Sequence, residues 1–197
     1  MFHVKAFSKF GVLLAVGLMA CAALAASAQA QVVNPPNTPV VGTATNPTLD
    51  YEGTIVRCNT GTASGTTGSN SPIVDVSLTF SGNCNIAGLG ATVTCNGQAR
   101  LRALNATTNA GEVDELLTGF SCVVTVSGVC TVTVAAQQLP ITGGINQANL
   151  LNEGGATAID ANVDVAASRT GSSLCGPATG VGGFTGVYDL NPDVSFD

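Results

Sequence analysis

From residue 31 onward the chain contains no His, Lys, Met or Trp, and its cations are Arg57, Arg100, Arg102 and Arg169. Nucleophilic catalysis of the Ser-His-Asp or Cys-His kind, and its lysine-based variants, therefore has no general base in that stretch. What could do chemistry is carboxylate. GEVDELL (111–117) concentrates Glu112, Asp114 and Glu115. A carboxylate pair can serve glycoside hydrolysis, but only at a defined separation across a cleft. Sugar clefts also use aromatic platforms, and the aromatics after residue 30 are Tyr51, Phe80, Phe120, Phe184, Tyr188 and Phe196, most at strand-core parity. The acidic stretch reads as a solvated loop. IDANVDV (159–165) sets Asp160, Asn162 and Asp164 at the spacing that opens an EF-hand loop. That motif needs Gly at its sixth position and an acid at its twelfth, where this chain has Val165 and Gly171. Ile159, Ala161, Val163 and Val165 alternate with the polar three, so the stretch reads as a strand with one wet face. Asp160, Asn162 and Asp164 are the candidate metal ligands, and no resident cofactor is expected.

Cys58, Cys84, Cys95, Cys122, Cys130 and Cys175 form an even set. No pair is CxxC and no His completes a zinc site, so they read as up to three disulfides of an exported protein. GLG (88–90) and GVGG (180–183) lack the context of a phosphate loop and read as turns.

The first thirty residues give the compartment. Lys5 and Lys9 precede the apolar run GVLLAVGLMA (11–20), and Ala28-Gln29-Ala30 supplies a small-residue cleavage site before Gln31. This is the layout of a secretory signal peptide over 1–30. The run is too short for a permanent transmembrane span. A second reading takes Leu18-Met19-Ala20-Cys21 as a lipoprotein site, with Cys21 acylated. Beyond the leader, four arginines stand against twelve carboxylates, a side-chain charge of −8. That balance disfavours nucleic acid and anionic membrane as partners. LPITG (139–143) spells a cell-wall sorting signal, but no apolar segment and basic tail follow it. It reads as a strand end followed by a turn at Pro140 and Gly143-Gly144.

The elements that must carry these residues are strands. Residues 31–48, with four prolines, read as an extended arm, and 49–197 as one domain. Short Val/Thr/Ile alternations broken by Gly and Asn predict an all-β, antiparallel, immunoglobulin-like sandwich stapled by disulfides. SCVVTV-SG-VCTVTV (121–134) predicts a hairpin. A two-residue Ser127-Gly128 turn puts Cys122 opposite Thr133 and Cys130 opposite Thr125, on different faces. A three-residue loop still displaces the two cysteines along the strands, so Cys122 and Cys130 are not expected to bond. ATVTC-NG-QARLRA (91–103) predicts a second hairpin, its register favouring a loop or bulge over Asn96–Gln98. Phe184, Gly186, Tyr188, Leu190, Val194 and Phe196 share one parity, with Asp189, Asn191, Asp193 and Asp197 on the other. That predicts a strand with one buried face, interrupted at Pro192. INQANLLNEGG (145–155) fits either two helical turns or a strand and loop.

LDYEGTIVRC (49–58) and VSLTFSGNC (76–84) resemble the first two strands of bacterial chaperone-usher pilins, and Phe196, next to last in the chain, resembles their C-terminal aromatic. The resemblance implies a Cys58–Cys84 disulfide and an immunoglobulin-like domain that assembles by strand exchange. Four further cysteines and the proline-rich arm depart from that pattern. The layout is also similar to small secreted bacterial sandwich proteins of the biofilm-matrix and alkane-oxidation-activator kinds. The expectation is a secreted or cell-surface protein that is not an enzyme and serves as a surface, matrix or adhesion component. Its expected partners are copies of itself, other surface proteins or glycans. The alternatives are a fibre subunit and a carbohydrate- or calcium-binding module.

Overall fold

The computed structural model describes residues 31–153 and 156–197. The expected leader, with Cys21 and the Ala28-Gln29-Ala30 site, lies outside the described residues.

After the short strand β1 (Val33–Asn34), β2 (Pro39–Thr45) and β3 (Thr48–Tyr51) run on as one long strand. The chain turns at Glu52-Gly53, both at positive φ, and returns as β4 (Thr54–Arg57) and β5 (Thr60–Thr66). Register is kept over the whole length: Tyr51 faces Thr54, Thr45 faces Thr60 and Pro39 faces Thr66. The pattern repeats with β6 (Ile73–Ser81) and β7 (Cys84–Ile86), a turn at Ala87-Gly88, then β8 (Leu89–Asn96) and β9 (Ala99–Asn105). Ile86 faces Leu89 and Val76 faces Ala99. The long strand β10 (Ala110–Val126) lies along both β8 and β9, and β11 (Cys130–Gln138) folds back on it. β11 and then β12 (Asn146–Glu153) line β13 (Ala156–Gly171), which pairs with β14 (Thr179–Asn191).

β14 then meets the beginning of the sheet, with Tyr188 opposite Ala44 on β2 and Gly182 opposite Tyr51 on β3. Every ladder is antiparallel, and around the wall each joins long strands that follow one another in the chain, except the pairing of β14 with β2 and β3, which closes the ring. The wall is an up-and-down barrel of eight long strands, and none of the thirteen strands in its sheet has a free edge among the described residues. The all-β expectation holds as one continuous antiparallel sheet carrying three disulfides. The ladder does not divide into the two facing sheets of an immunoglobulin-like sandwich.

Several local expectations are corrected. The 121–134 hairpin has a three-residue loop, Ser127–Val129, so Cys130 faces Val126 and Cys122 faces Val134, with both cysteines on the inner face. Residues 91–103 do not form a hairpin. β8 and β9 are collinear and both run along β10, from Ala91 opposite Val126 to Asn105 opposite Ala110. The Asn96-Gly97 signal marks a kink in this long strand, because pairing to β10 on one side and to β6 and β7 on the other outweighs a local turn preference. Gly97 has φ +79° and a Cβ there would come within 2.7 Å of the Phe120 Cα, so the kink needs glycine twice over. Residues 39–48 of the expected arm belong to the barrel wall, and of the two readings open for 145–155 the strand is found, as β12 over Asn146–Glu153. The C-terminal alternation is interrupted at Pro192 as expected: β14 ends at Asn191, and β15 (Ser195–Phe196) pairs with β1.

Alternation sorts the side chains. Val40, Ala44, Val76, Val93, Val113, Leu116, Phe120, Val124, Val163 and Tyr188 turn inward and are buried. The outer face is mainly Thr, Ser, Asn and Asp, with the Arg and Glu of β9 and β10 and scattered exposed Val41, Ile55, Val181 and Val187 among them. This is the reverse of a lipid-facing barrel, whose outer band is apolar. Among the described residues no helix is long and apolar enough to cross a membrane. One end is capped by the β1–β15 clasp, which lays Val33, Val194 and Phe196 against Val40, Ala103 and Leu150. At the other end the 3₁₀ turn Ser173–Cys175 is tied to β11 through Cys130–Cys175.

Candidate functional site: an outer charged seam and an inner chamber

On the outer face, Glu112, Asp114 and Glu115 lie on strand β10 and not in the loop that composition suggests. Cross-strand pairing explains the difference, since β9 brings its two arginines into register with them. Arg100 donates through Nε to Asp75 Oδ1 at 3.0 Å and through Nη1 to Glu115 Oε2 at 3.1 Å, bridging β6, β9 and β10. Its guanidinium is held above the ordinary value, first by the hydrogen bond it donates to Asp75 and then by the surrounding carboxylates, against some desolvation. Arg102 pairs with Asp114 Oδ2, while Asp114 Oδ1 is buried without a partner. Glu112 Oε2 accepts from Asn146 at 3.0 Å. These carboxylates are occupied by arginine and amide neighbours rather than poised across a cleft.

Asp160, Asn162 and Asp164 alternate with buried Ala161, Val163 and Val165 on β13 and share its outer face. Asp164 Oδ2 accepts from the Ile145 amide at 3.0 Å. Their strand neighbours are Val187, Thr185 and Gly183 on β14, with Asn149 and Gln147 on β12, and the β11–β12 loop meets Asp164 with a backbone amide donor in place of a ligand oxygen. Among the described residues no three His, Cys, Asp or Glu side chains group as a metal site.

The six cysteines pair as Cys58–Cys84, Cys95–Cys122 and Cys130–Cys175. The first two staple adjacent wall strands from inside, and the third ties the cap. Cys122 and Cys130 share a face but stand eight residues apart along a hairpin, and each has a nearer partner.

The interior is the second candidate, and sequence reading missed it. Gly42 and Ala44 on β2, Gly61, Ala63 and Gly65 on β5, and Gly182 and Gly186 on β14 sit on the inner face of the wall. An eight-stranded barrel is just wide enough for full-sized side chains to fill it, so a seam of glycine and alanine leaves it hollow. A cavity of about 180 Å³ results, its lining almost entirely apolar. Phe80 and Phe184 meet edge to face at 5.7 Å, and Phe184 and Tyr188 lie 6.0 Å apart, all three on the cavity lining. Tyr188 packs against the glycine seam: a Cβ at Gly61 would come within 3.0 Å of its hydroxyl, and one at Gly186 within 3.0 Å of its ring. Tyr188 is 3% exposed, and its hydroxyl has no hydrogen-bond partner among the described residues. Burial pushes the phenol well above the ordinary tyrosine value. The even-parity run from Phe184 to Leu190 was the available signal for this face. Its meaning depended on the small residues of β2 and β5 lying opposite, which only the closing ladder reveals.

Compared with known protein families, with curated proteins and with solved structures, the chain finds no match.

Proposed function

We propose that this is a non-enzymatic exported protein of a bacterial surface or extracellular matrix, a disulfide-stapled barrel whose outer wall is its working face. The observation that carries the reading is the arrangement of neutral hydroxyls on that wall. Thr92, Thr125, Thr131 and Thr170 are successive cross-strand neighbours on β8, β10, β11 and β13. Thr43, Thr62 and Thr79 form a second row on β2, β5 and β6. Such rows repeat at the inter-strand spacing of about 4.8 Å and offer donors and acceptors without charge, a surface suited to polysaccharide or to another copy of the same wall. The absence of Lys and His beyond residue 30, and the pairing of the β9 and β10 charges with one another, leave no activated nucleophile on it.

The immunoglobulin-like and pilin-like readings would need separate sheets and an edge open to a donor strand. The closed ladder supports neither. The test replaces Thr92 and Thr131 by lysine, exposed-face changes expected to alter stability by no more than about 0.5 kcal/mol each. Adsorption of the purified protein to an envelope polysaccharide or matrix preparation should fall at least about tenfold, worth about 1.4 kcal/mol, with an unchanged melt. Full adsorption by the folded double variant would remove the outer wall from the account.

A further inference from the structure

The inner face of the same strands carries an inference that goes beyond the surface reading. We propose that the barrel interior is a binding chamber for one small, uncharged, largely apolar molecule bearing a single hydroxyl, of the phenol or short-alcohol class, which pairs with the Tyr188 hydroxyl.

Three observations set the class. The first is size. The cavity measures about 180 Å³, and apolar cavities of about 150 Å³ lined by aliphatic and aromatic side chains stay dry and admit a benzene-sized guest. A single ring or a short chain fits, and a long fatty acyl chain does not. The second is charge. The two ionised residues at the margin of the lining are engaged elsewhere, Arg102 with Asp114 and Asp50 with the amide of Gly53. A carboxylate or ammonium group would therefore enter without a counter-charge, at a prohibitive desolvation cost. The third is Tyr188. Its hydroxyl is buried without a partner, a condition that costs about 1–3 kcal/mol and that phenylalanine would avoid. The hydroxyl itself fills the room beside Gly61, so it meets a guest by a small swing of the Tyr188 ring, which lines the cavity. A guest hydroxyl supplies the missing partner, accepting from or donating to the phenol, while its hydrocarbon body takes the apolar wall.

The test uses the disulfide-intact protein and two probes that differ by one hydroxyl, p-cresol and toluene, titrated against the methyl resonances of inward residues such as Val76, Val124 and Val163. Both should perturb the inward methyls and leave outward Val41 and Val181 unchanged. Tyr188→Phe should weaken p-cresol about tenfold, the worth of one buried hydrogen bond, and leave toluene within about twofold. Because hydroxyl loss at Tyr188 keeps the ring, the fold is retained. Ala63→Leu, which fills the chamber from β5, should weaken both probes together. The proposal is overturned if neither probe reaches the inward methyls, if p-cresol is indifferent to Tyr188→Phe, or if that variant weakens both probes equally. None of these results bears on polysaccharide adsorption by the outer wall.

Discussion

Two stretches of the barrel wall use the same strand geometry to opposite ends. Along β8, β10 and β11 the inward positions are Val93, Leu116, Phe120, Val124, Val132 and Val134, a half filled with large apolar side chains, all but Val93 of which also border the cavity. Along β2, β5 and β14 they include Gly42, Ala44, Gly61, Ala63, Gly65 and Gly186, a bare half across which Tyr188 lies. Backbone ladders run through both, so neither half has an open edge among the described residues. Closure of the ladder thus sets the diameter, and the volume of the inward side chains decides whether the enclosed space is core or chamber.

The largest effect should come from the filled half. Phe120→Ala removes a buried ring and enlarges the void it borders, and should destabilise by about 4 kcal/mol in a denaturant melt. A loss under about 1 kcal/mol would mean that the filled half is as loose as the bare one.

The pH dependence comes from the bare half. An unfolded tyrosine titrates near 10.0, whereas burial holds Tyr188 well above that. The folded state therefore keeps a proton that the unfolded state loses, and the stability that Tyr188 contributes is present below pH 10 and drains as pH rises towards its folded value. Above about pH 10 the slope attributable to this residue should be about −1.4 kcal/mol per pH unit. Tyr188→Phe should abolish that slope and be neutral to stabilising at pH 7. A slope that survives the substitution would place the proton elsewhere.

Ala63→Val adds volume where there is room. It should be neutral or stabilising by up to about 1 kcal/mol, whereas enlargement in a packed core costs about 1–3 kcal/mol. A cost of that size would show that the bare half is already full. The smallest effect belongs to the outer seam. Arg100→Ala removes the bridge from Asp75 to Glu115 at a wet surface. Its shift in melting temperature should shrink further as salt is raised.

The strands were legible because period-two alternation is a local signal, clear in 184–190 and in 121–126. What pairs with what was less so. Asn96-Gly97 carries a hairpin signature, yet the chain runs straight through it, because two long neighbours fix β8 and β9 in line. The Ser127-Gly128 turn was placed correctly but is one residue longer, which moves Cys130 to the face of Cys122. The acidic run 111–117 gave a loop by composition because its partners Arg100 and Arg102 count only once β9 is beside it. The prolines of 31–48 suggested an arm, although Pro39 opens a barrel strand and Pro47 falls in the break before β3. The chamber was hidden for the same reason: small residues in separate strands make a hollow only when the ring closes.

That closure is the centre of the account, and amide hydrogen exchange across β2 tests it. Val41 to Ala44 face β14 on one side and β5 on the other, so their amides should all be protected. If β2 were instead an open edge awaiting a donor strand, alternate amides would exchange at solvent-exposed rates. Continuous protection from Val41 to Ala44 is the predicted result; an alternating pattern in the monomer would contradict the closed barrel and the chamber with it.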